Sequence, residues 1–317
     1  MAALRNGEHP VTLNHRWAVI LAGGDGKRLL PLTRKLTGDN TPKQFCALTG
    51  GETLLDVTSR RVAQVVPARN TLLLLTRTHE RFYADRLPPL SPSSVLIQPY
   101  NHGTAAAIAY AVTRLATLAP DAVVAFFPSD HHFQCEEAFA AATDRAFMHA
   151  QVDADRVVLL GIVPSSAESA YGWIEPGAQL HRTGEAPVFE VRRFWEKPAH
   201  RTAERLLDCG CLWNSFVMVG RVRAFLNMLR RGTPDIVSAF EMIGSDVEPS
   251  GADSMLRHLY AQIPSRSFSD DVLSTCPSQL AVLPVHGVGW TDLGEPQRAQ
   301  AALGIPTTAR SSLAGEW

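Results

Sequence analysis

LAGGDGKRLLPLTRKLTGDNTPKQF, residues 21–45, sets four glycines, five basic residues and two prolines at the end of a short apolar run. That run, Trp17–Ala22 (WAVILA), reads as a buried first strand, and Gly23, Gly24 and Gly26 follow it at once. Glycines in such a turn let backbone N–H groups approach a ligand with no Cβ in the way, and the guest this suits is an anion. Two common nucleotide patterns fail. A Walker loop needs Ser or Thr after Gly-Lys, but Arg28 follows Gly26-Lys27. A dinucleotide fingerprint needs a glycine three positions after Gly26, where Leu29 stands.

Outward from this stretch, apolar β-rich runs alternate with helical patterns. Thr71–Thr76, Val95–Gln98, Ala122–Phe127 and Val157–Ile162 read as strands; Leu54–Val65, Glu80–Arg86, Gly103–Leu118 and Cys135–Gln151 read as helices. The alternation predicts an α/β fold with a mostly parallel sheet covered by helices on both faces, and ligands then bind beyond the carboxyl ends of the strands. From Tyr171 the rhythm changes. Tyr171–Glu175, Val188–Trp195, Ser215–Val219 and Leu280–Leu283 read as strands, and Arg221–Arg231, Ile236–Met242 and Asp253–Ala261 as helices. No Pro/Gly/Ser-rich linker divides the chain, so this half extends the same sheet. Residues 1–14 read as a peripheral extension, 15–296 as one domain and 297–317 as a short tail.

At 317 residues and 45% hydrophobic content the chain can bury a large core, and 30 basic against 31 acidic residues leave no basic excess for a nucleic-acid surface. Five scattered cysteines, no secretory segment and no apolar run of membrane length predict a cytoplasmic protein with no membrane partner. Cys209-x-Cys211 is too tight for a usual zinc pair. The sequence leaves the oligomeric state open, with a homodimer, the commonest assembly, as the prior.

The polar residues after each strand are the candidates for chemistry. Arg28 completes a phosphate cradle with the glycine loop. Lys43, between Pro42 and Gln44, is aimed, whereas Arg34 and Lys35 read as solvated on a loop that Pro31, Gly38, Asp39 and Pro42 keep irregular. AVVAFF runs into PSDHHF, and Asp130 there suits either a metal-bearing carboxylate or a helix cap. His131 and His132 point in different directions and suit capping or supporting roles better than a transition-metal site. Asn101, His102, Gly103 and Thr104 precede an alanine-rich helix that admits close approach of a neighbouring element or a flat base; Thr104 equally suits a cap. Gly172, Glu175, Glu196, Lys197 and Asn214 mix acceptors with one cation, as a phosphorylated, polyhydroxylated ligand requires, although Lys197 before Pro198 also suits an ordinary turn. Asp292, in VGWTDLGEP, becomes a second carboxylate for the same metal if the fold brings it to Asp130; otherwise it is a solvated turn residue.

Taken together, LAGGDGKRLLPLTR (21–34), PKQFCALTG (42–50), NHGTAAAIA (101–109), FPSDHHF (127–133), YGWIEPG (171–177), FWEKP (194–198), LWNSF (212–216) and GWTDLG (289–294) resemble the sugar-1-phosphate nucleotidyltransferases, in the same order and over about residues 17–296. PKQF, PSDH and FWEKP point to the guanylyl branch, which joins GTP to mannose 1-phosphate. The resemblance implies a Rossmann-like fold of nucleotide-diphospho-sugar transferase type, with 15–296 as the nucleotidyltransferase domain, and magnesium dependence. It also implies in-line attack of the sugar phosphate on the α-phosphorus with release of pyrophosphate. Gly23, Gly24, Gly26 and Arg28 would then hold the GTP phosphates, Lys43 would touch them, and Asp130 with Asp292 would hold Mg2+. Leu21, Ala22, Asn101, Gly103 and Thr104 would surround the base. Lys197 would neutralise the sugar phosphate, while Gly172, Glu175 and Asn214 would face the sugar. Cys46 reads as packing.

The chain departs from the family at SFSDDVLS (267–274), where Ser269 and Ser274 replace an aspartate and a glutamate unless Asp270 or Asp271 substitutes after a small shift, and at Glu295-Pro296, where serine and tryptophan are usual. The tail is also too short for a C-terminal left-handed β-helix. Two rival readings follow from these changes: a nucleotidyltransferase for another hexose 1-phosphate or NTP, and a non-catalytic sugar-nucleotide sensor.

Overall fold

The computed structural model describes residues 15–47, 51–85, 94–183, 186–243 and 249–303. Residues 1–14, Arg86 and 304–317, on which parts of the expectations fall, lie outside the described residues. The strands are β1 (Arg16–Leu21), β2 (Thr71–Thr76), β3 (Val95–Gln98), β4 (Val123–Pro128), β5 (His132–Phe133), β6 (Val157–Ile162), β7 (Trp173–Thr183), β8 (Ala186–Trp195), β9 (Leu212–Arg221), β10 (Leu280–Val285) and β11 (Trp290–Thr291). The helices are α1 (Leu30–Thr37), α2 (Leu54–Val62), α3 (Glu80–Tyr83), α4 (Gly103–Leu118), α5 (Glu136–Val152), α6 (His200–Asp208), α7 (Val222–Gly232), α8 (Pro234–Ile243), α9 (Pro249–Gln262) and α10 (Pro296–Leu303).

Among the described residues nine strands form one sheet in the order β3-β2-β1-β4-β9-β6-β10-β8-β7, and β5 pairs with β11 in a separate ladder. Only β9 and β8 run against the other seven, so the sheet is mixed and mostly parallel. The strands read as continuous apolar runs because both faces are covered. In β1, Val19 enters one core while Ala18 and Ile20 enter the other; Leu72 and Leu74 alternate in the same way with Leu73 and Leu75 in β2. The first core is closed by α4, α7, α8 and α9, and the second by α2, α5 and α6. The alanines of α4 are buried against the sheet, and their small side chains let the helix lie close to it.

The chain leaves β1 for β2 and β3 on one side and then returns to place β4 on the other. This reversal opens a crevice at the carboxyl ends of β1 and β4, which lie level, Leu21 opposite Pro128. The antiparallel β9 begins at that same end, with Asn214 opposite Gly161 of β6. Asn214 is therefore inside a strand that starts three residues before the expected Ser215. The loop expected between Pro31 and Pro42 is instead largely helix: α1 carries Pro31 in its first turn, where a missing N–H costs nothing, and stops at Gly38 with φ of 77°. Among the described residues, no helix is long and apolar enough to cross a membrane.

Gly103 opens α4 with φ of 83°, and a Cβ there would lie 2.3 Å from the carbonyl oxygen of Arg266. That carbonyl accepts from Ala105 N–H at 3.2 Å, while Arg266 N–H donates to His102 O at 3.1 Å. Gly103→Ala should cost about 3 kcal/mol, combining left-handed backbone with overpacking. Urea denaturation measures it, and a loss below about 0.5 kcal/mol would show that the contact is not tight.

Candidate active site

The turn after β1 is fixed by the groups beneath it. Ala22 N–H donates to Leu74 O at 2.8 Å, and Gln44 Nε2 donates to the carbonyls of Ala22 (3.0 Å) and Gly24 (2.8 Å). A Cβ on Gly23 would lie 2.5 Å from Gln98 Nε2, and Gly26 has φ of 61° against Lys43 N. The fold thus demands glycine at 23 and 26. At Gly24 nothing lies within 4 Å, so no protein group requires glycine there. The next turn exposes Arg28, whose Nη1 lies 3.4 Å from Glu295 Oε1.

Asp130 follows β4 and Asp292 follows β11. The two-stranded ladder, with Trp290 opposite Phe133 and Thr291 opposite His132, brings these distant segments together. Lys43 joins them: its Nζ lies 3.1 Å from Asp130 Oδ2 and donates to Asp292 O at 2.9 Å, with the side chain only 12% exposed. Asp292 Oδ1 accepts Gly294 N–H at 2.8 Å. His131 stays neutral, because burial lowers its pKa and its Nδ1 accepts from Trp290 Nε1 at 3.2 Å. Burial, with a smaller contribution from Asp292, pushes the Tyr171 phenol up to about 12.

These groups border a cavity of about 460 Å³, within the usual size for a small-molecule site. Leu21, Gly23, Gly24, Asn101, Gly103 and Thr104 all reach it, as do Arg28, Asp130 and Asp292, and so do Gly172, Lys197 and Asn214. Ala22, Gly26 and Lys43 stand behind the wall, the first two shaping the turn and the third holding the Asp130 carboxylate and the Asp292 backbone carbonyl. Glu175 is not brought to the cavity. It lies on β7 and its Oε1 is 3.3 Å from Arg192 Nη1, whereas Glu196, paired with Lys197, lines the wall. Cys46 is buried and its thiol is raised to about 11, so it packs rather than reacts. Cys211 is buried and Cys209 exposed, and neither forms a disulfide.

The sequence reading missed Gln98, Tyr171, Phe216 and Trp290, which also line the cavity. Gln98 ends β3 at the carboxyl edge, so the strand-end rule could have found it. Phe216 carries a different signal, visible only in the backbone: with Lys197 and Leu293 it has positive φ (58°, 40° and 49°). Left-handed backbone at non-glycine residues gathers at functional sites, and here two line the cavity and the third follows Asp292.

A family model described as nucleotidyl transferase matches residues 17–302. The chain belongs to the nucleotidyl transferase family. Mannose-1-phosphate guanylyltransferase ManC of Salmonella typhimurium is 32% identical over 285 residues, covering 88% of this chain and 57% of that protein. Mannose-1-phosphate guanylyltransferase of Escherichia coli K12 is 31% identical over 284 residues, with 88% and 58% covered. The chain therefore spans 57–58% of the length of these curated relatives. A crystal structure described as mannose-1-phosphate geranyltransferase from Thermus thermophilus superposes with a TM-score of 0.78 at 26% identity, over 92% of this chain and 80% of that one.

In this nucleotidyl transferase, the open space at Gly24 yields a test. Gly24→Ala should leave thermal unfolding within about 0.5 kcal/mol of wild type, as for a surface substitution. It should also weaken nucleoside triphosphate binding at least about tenfold in calorimetric titration, the affinity cost of roughly 1.4 kcal/mol. Equal affinity would remove Gly24 from the binding surface.

Proposed function

We propose that this chain condenses GTP with α-D-mannose 1-phosphate to give GDP-mannose and pyrophosphate. The observation that carries this reading is the meeting of Asp130 and Asp292 at Lys43, in a cavity that also takes in the glycine turn, Lys197 and Asn214. The names of the two bacterial relatives supply the choice of GTP and mannose 1-phosphate.

In this reaction a sugar-phosphate oxygen forms a bond to the α-phosphorus while the bond from that phosphorus to pyrophosphate breaks. No covalent enzyme intermediate is required, so the work is positioning and charge stabilisation. Backbone N–H groups of the Gly23–Gly26 turn and the exposed Arg28 receive the triphosphate. Lys197 neutralises the sugar phosphate by exchanging Glu196 for it, and Asn214 faces the sugar hydroxyls.

The carboxylates also fit a divalent cation. Two hard oxygen donors reach one cavity, which suits Mg2+, an ion that keeps waters and takes further ligands from phosphates. Among the described residues no three His, Cys, Asp or Glu side chains gather as a closed cage. Held by Asp130 and Asp292, Mg2+ would offset charge on the phosphates and the departing pyrophosphate.

Pyrophosphate release with Mg2+, testing GTP, ATP and UTP against mannose 1-phosphate and glucose 1-phosphate, decides the substrate pair. Release with GTP and mannose 1-phosphate is expected; a different preferred pair would rename the substrates, and silence across the panel would reject catalysis. Asp130→Asn should lower turnover at least about a hundredfold, about 2.7 kcal/mol of transition-state stabilisation, with the fold intact. Lys197→Ala should raise KM for the sugar phosphate about tenfold to a hundredfold, the value of a charged hydrogen bond, with a smaller effect on KM for GTP. An unchanged sugar-phosphate KM would remove Lys197 from that role.

A further inference from the structure

Helix α10 begins four residues after Asp292. Its Ala299 is buried with Leu29, Leu32, Cys46, Leu54 and Leu293 in a small apolar cluster, which anchors the helix beside the turn carrying Arg28. Arg298 makes a different set of contacts. Its Nη1 donates to Glu168 Oε2 at 2.7 Å, its Nη2 lies 3.6 Å from Asp292 Oδ1, and its Cζ sits 4.8 Å from the centre of the Tyr171 ring. Two of these three partners, Asp292 and Tyr171, line the cavity.

Nη2 and Nε of Arg298 are shielded from solvent and have no hydrogen-bond partner among the described residues. A guanidinium held with donors unmade is costly, so its place calls for a use. The nearest is the carboxylate of Asp292. Oδ1 of that carboxylate already accepts from Gly294 N–H at 2.8 Å, and Arg298 bears on the same oxygen. Among the described residues no donor is bonded to Oδ2.

We propose that Arg298 is a positioning residue: with Gly294 N–H it fixes Asp292 through Oδ1 and leaves Oδ2 as the oxygen offered to a divalent cation. This rests on the reading that Asp130 and Asp292 hold the cation. Glu168 is the second anchor. Its Oε1 accepts Ala170 N–H at 2.9 Å while Oε2 holds Arg298, so the set of Asp292 is tied to the 170–172 segment of the cavity wall.

Orientation and charge predict opposite signs. A positive group beside the site repels a metal ion, so an arginine acting by charge alone would weaken binding, and its removal would tighten it. An arginine acting by orientation strengthens binding, and loss of such a partner typically weakens a metal site about 10- to 100-fold.

The test is titration of the whole chain with Mn2+ alone, reading bound ion by water-proton relaxation, for wild type, Asp292→Asn, Arg298→Ala, Glu168→Gln and the Arg298→Ala/Glu168→Gln double variant. Arg298→Ala should weaken Mn2+ binding about tenfold. Glu168→Gln should weaken it less, and the double variant should bind no more weakly than Arg298→Ala, because both act through one guanidinium. If Arg298→Ala does not fold, Arg298→Gln carries the same sign test, whereas Glu168→Gln removes a negative charge and weakens binding by charge and by orientation alike. Unchanged or tighter binding in either Arg298 variant, with binding lost in Asp292→Asn, overturns the proposal while leaving the cation site standing. A wild type that binds no Mn2+, or an Asp292→Asn protein that binds it as wild type does, removes the cation reading and the proposal with it.

Discussion

The ammonium of Lys43 lies against the Asp130 carboxylate at 3.1 Å and the Asp292 carbonyl at 2.9 Å. Two carboxylates drawn to one half-buried cavity repel each other unless a positive group stands near them. Lys43 supplies it from a short turn that is itself packed against Gly26, so the charge balance of the site and the shape of the glycine turn are set by one segment. The same turn contributes Gln44, which holds the carbonyls of Ala22 and Gly24. The glycine turn, Asp130 and Asp292 therefore come to a common geometry through residues 43 and 44.

Holding that geometry requires backbone that a relaxed chain would not choose. Leu293, directly after Asp292, has φ of 49°, and Lys197 on the cavity wall has φ of 40°. The two cores on either side of the sheet offset such strain, since Phe126, Phe127, Trp173 and Phe225 are all buried. A site framed by packed cores in this way suits the proposed transfer between phosphates, which depends on positioning.

Much of the first half was legible in the sequence because strands buried on both faces appear as uninterrupted apolar runs. Thr71–Thr76, Val95–Gln98 and Val157–Ile162 fall where the runs predict. Pro31 misled, since proline marks a loop in isolation but is at home in a first helical turn, as in α1. Helix α6 was invisible because it buries little beyond Ala203 and Leu206. The approach of Asp292 to Asp130 depends on a ladder of two residues per strand, too short to leave a pattern. Glu175 and Glu196 were inseparable by residue type; the ion pair with Arg192 holds one away while the cavity takes the other. Arg298 carried no signal, because its role exists only where α10 meets the loop of Glu168.

The most direct test of the central claim is a crystal structure of the protein with Mg2+ and a non-hydrolysable GTP analogue. The account predicts the triphosphate on the Gly23–Gly26 turn, with the metal between the carboxylates of Asp130 and Asp292 and the guanine beside Asn101–Thr104. A nucleotide bound outside this cavity, or a metal that engages neither carboxylate, would contradict it.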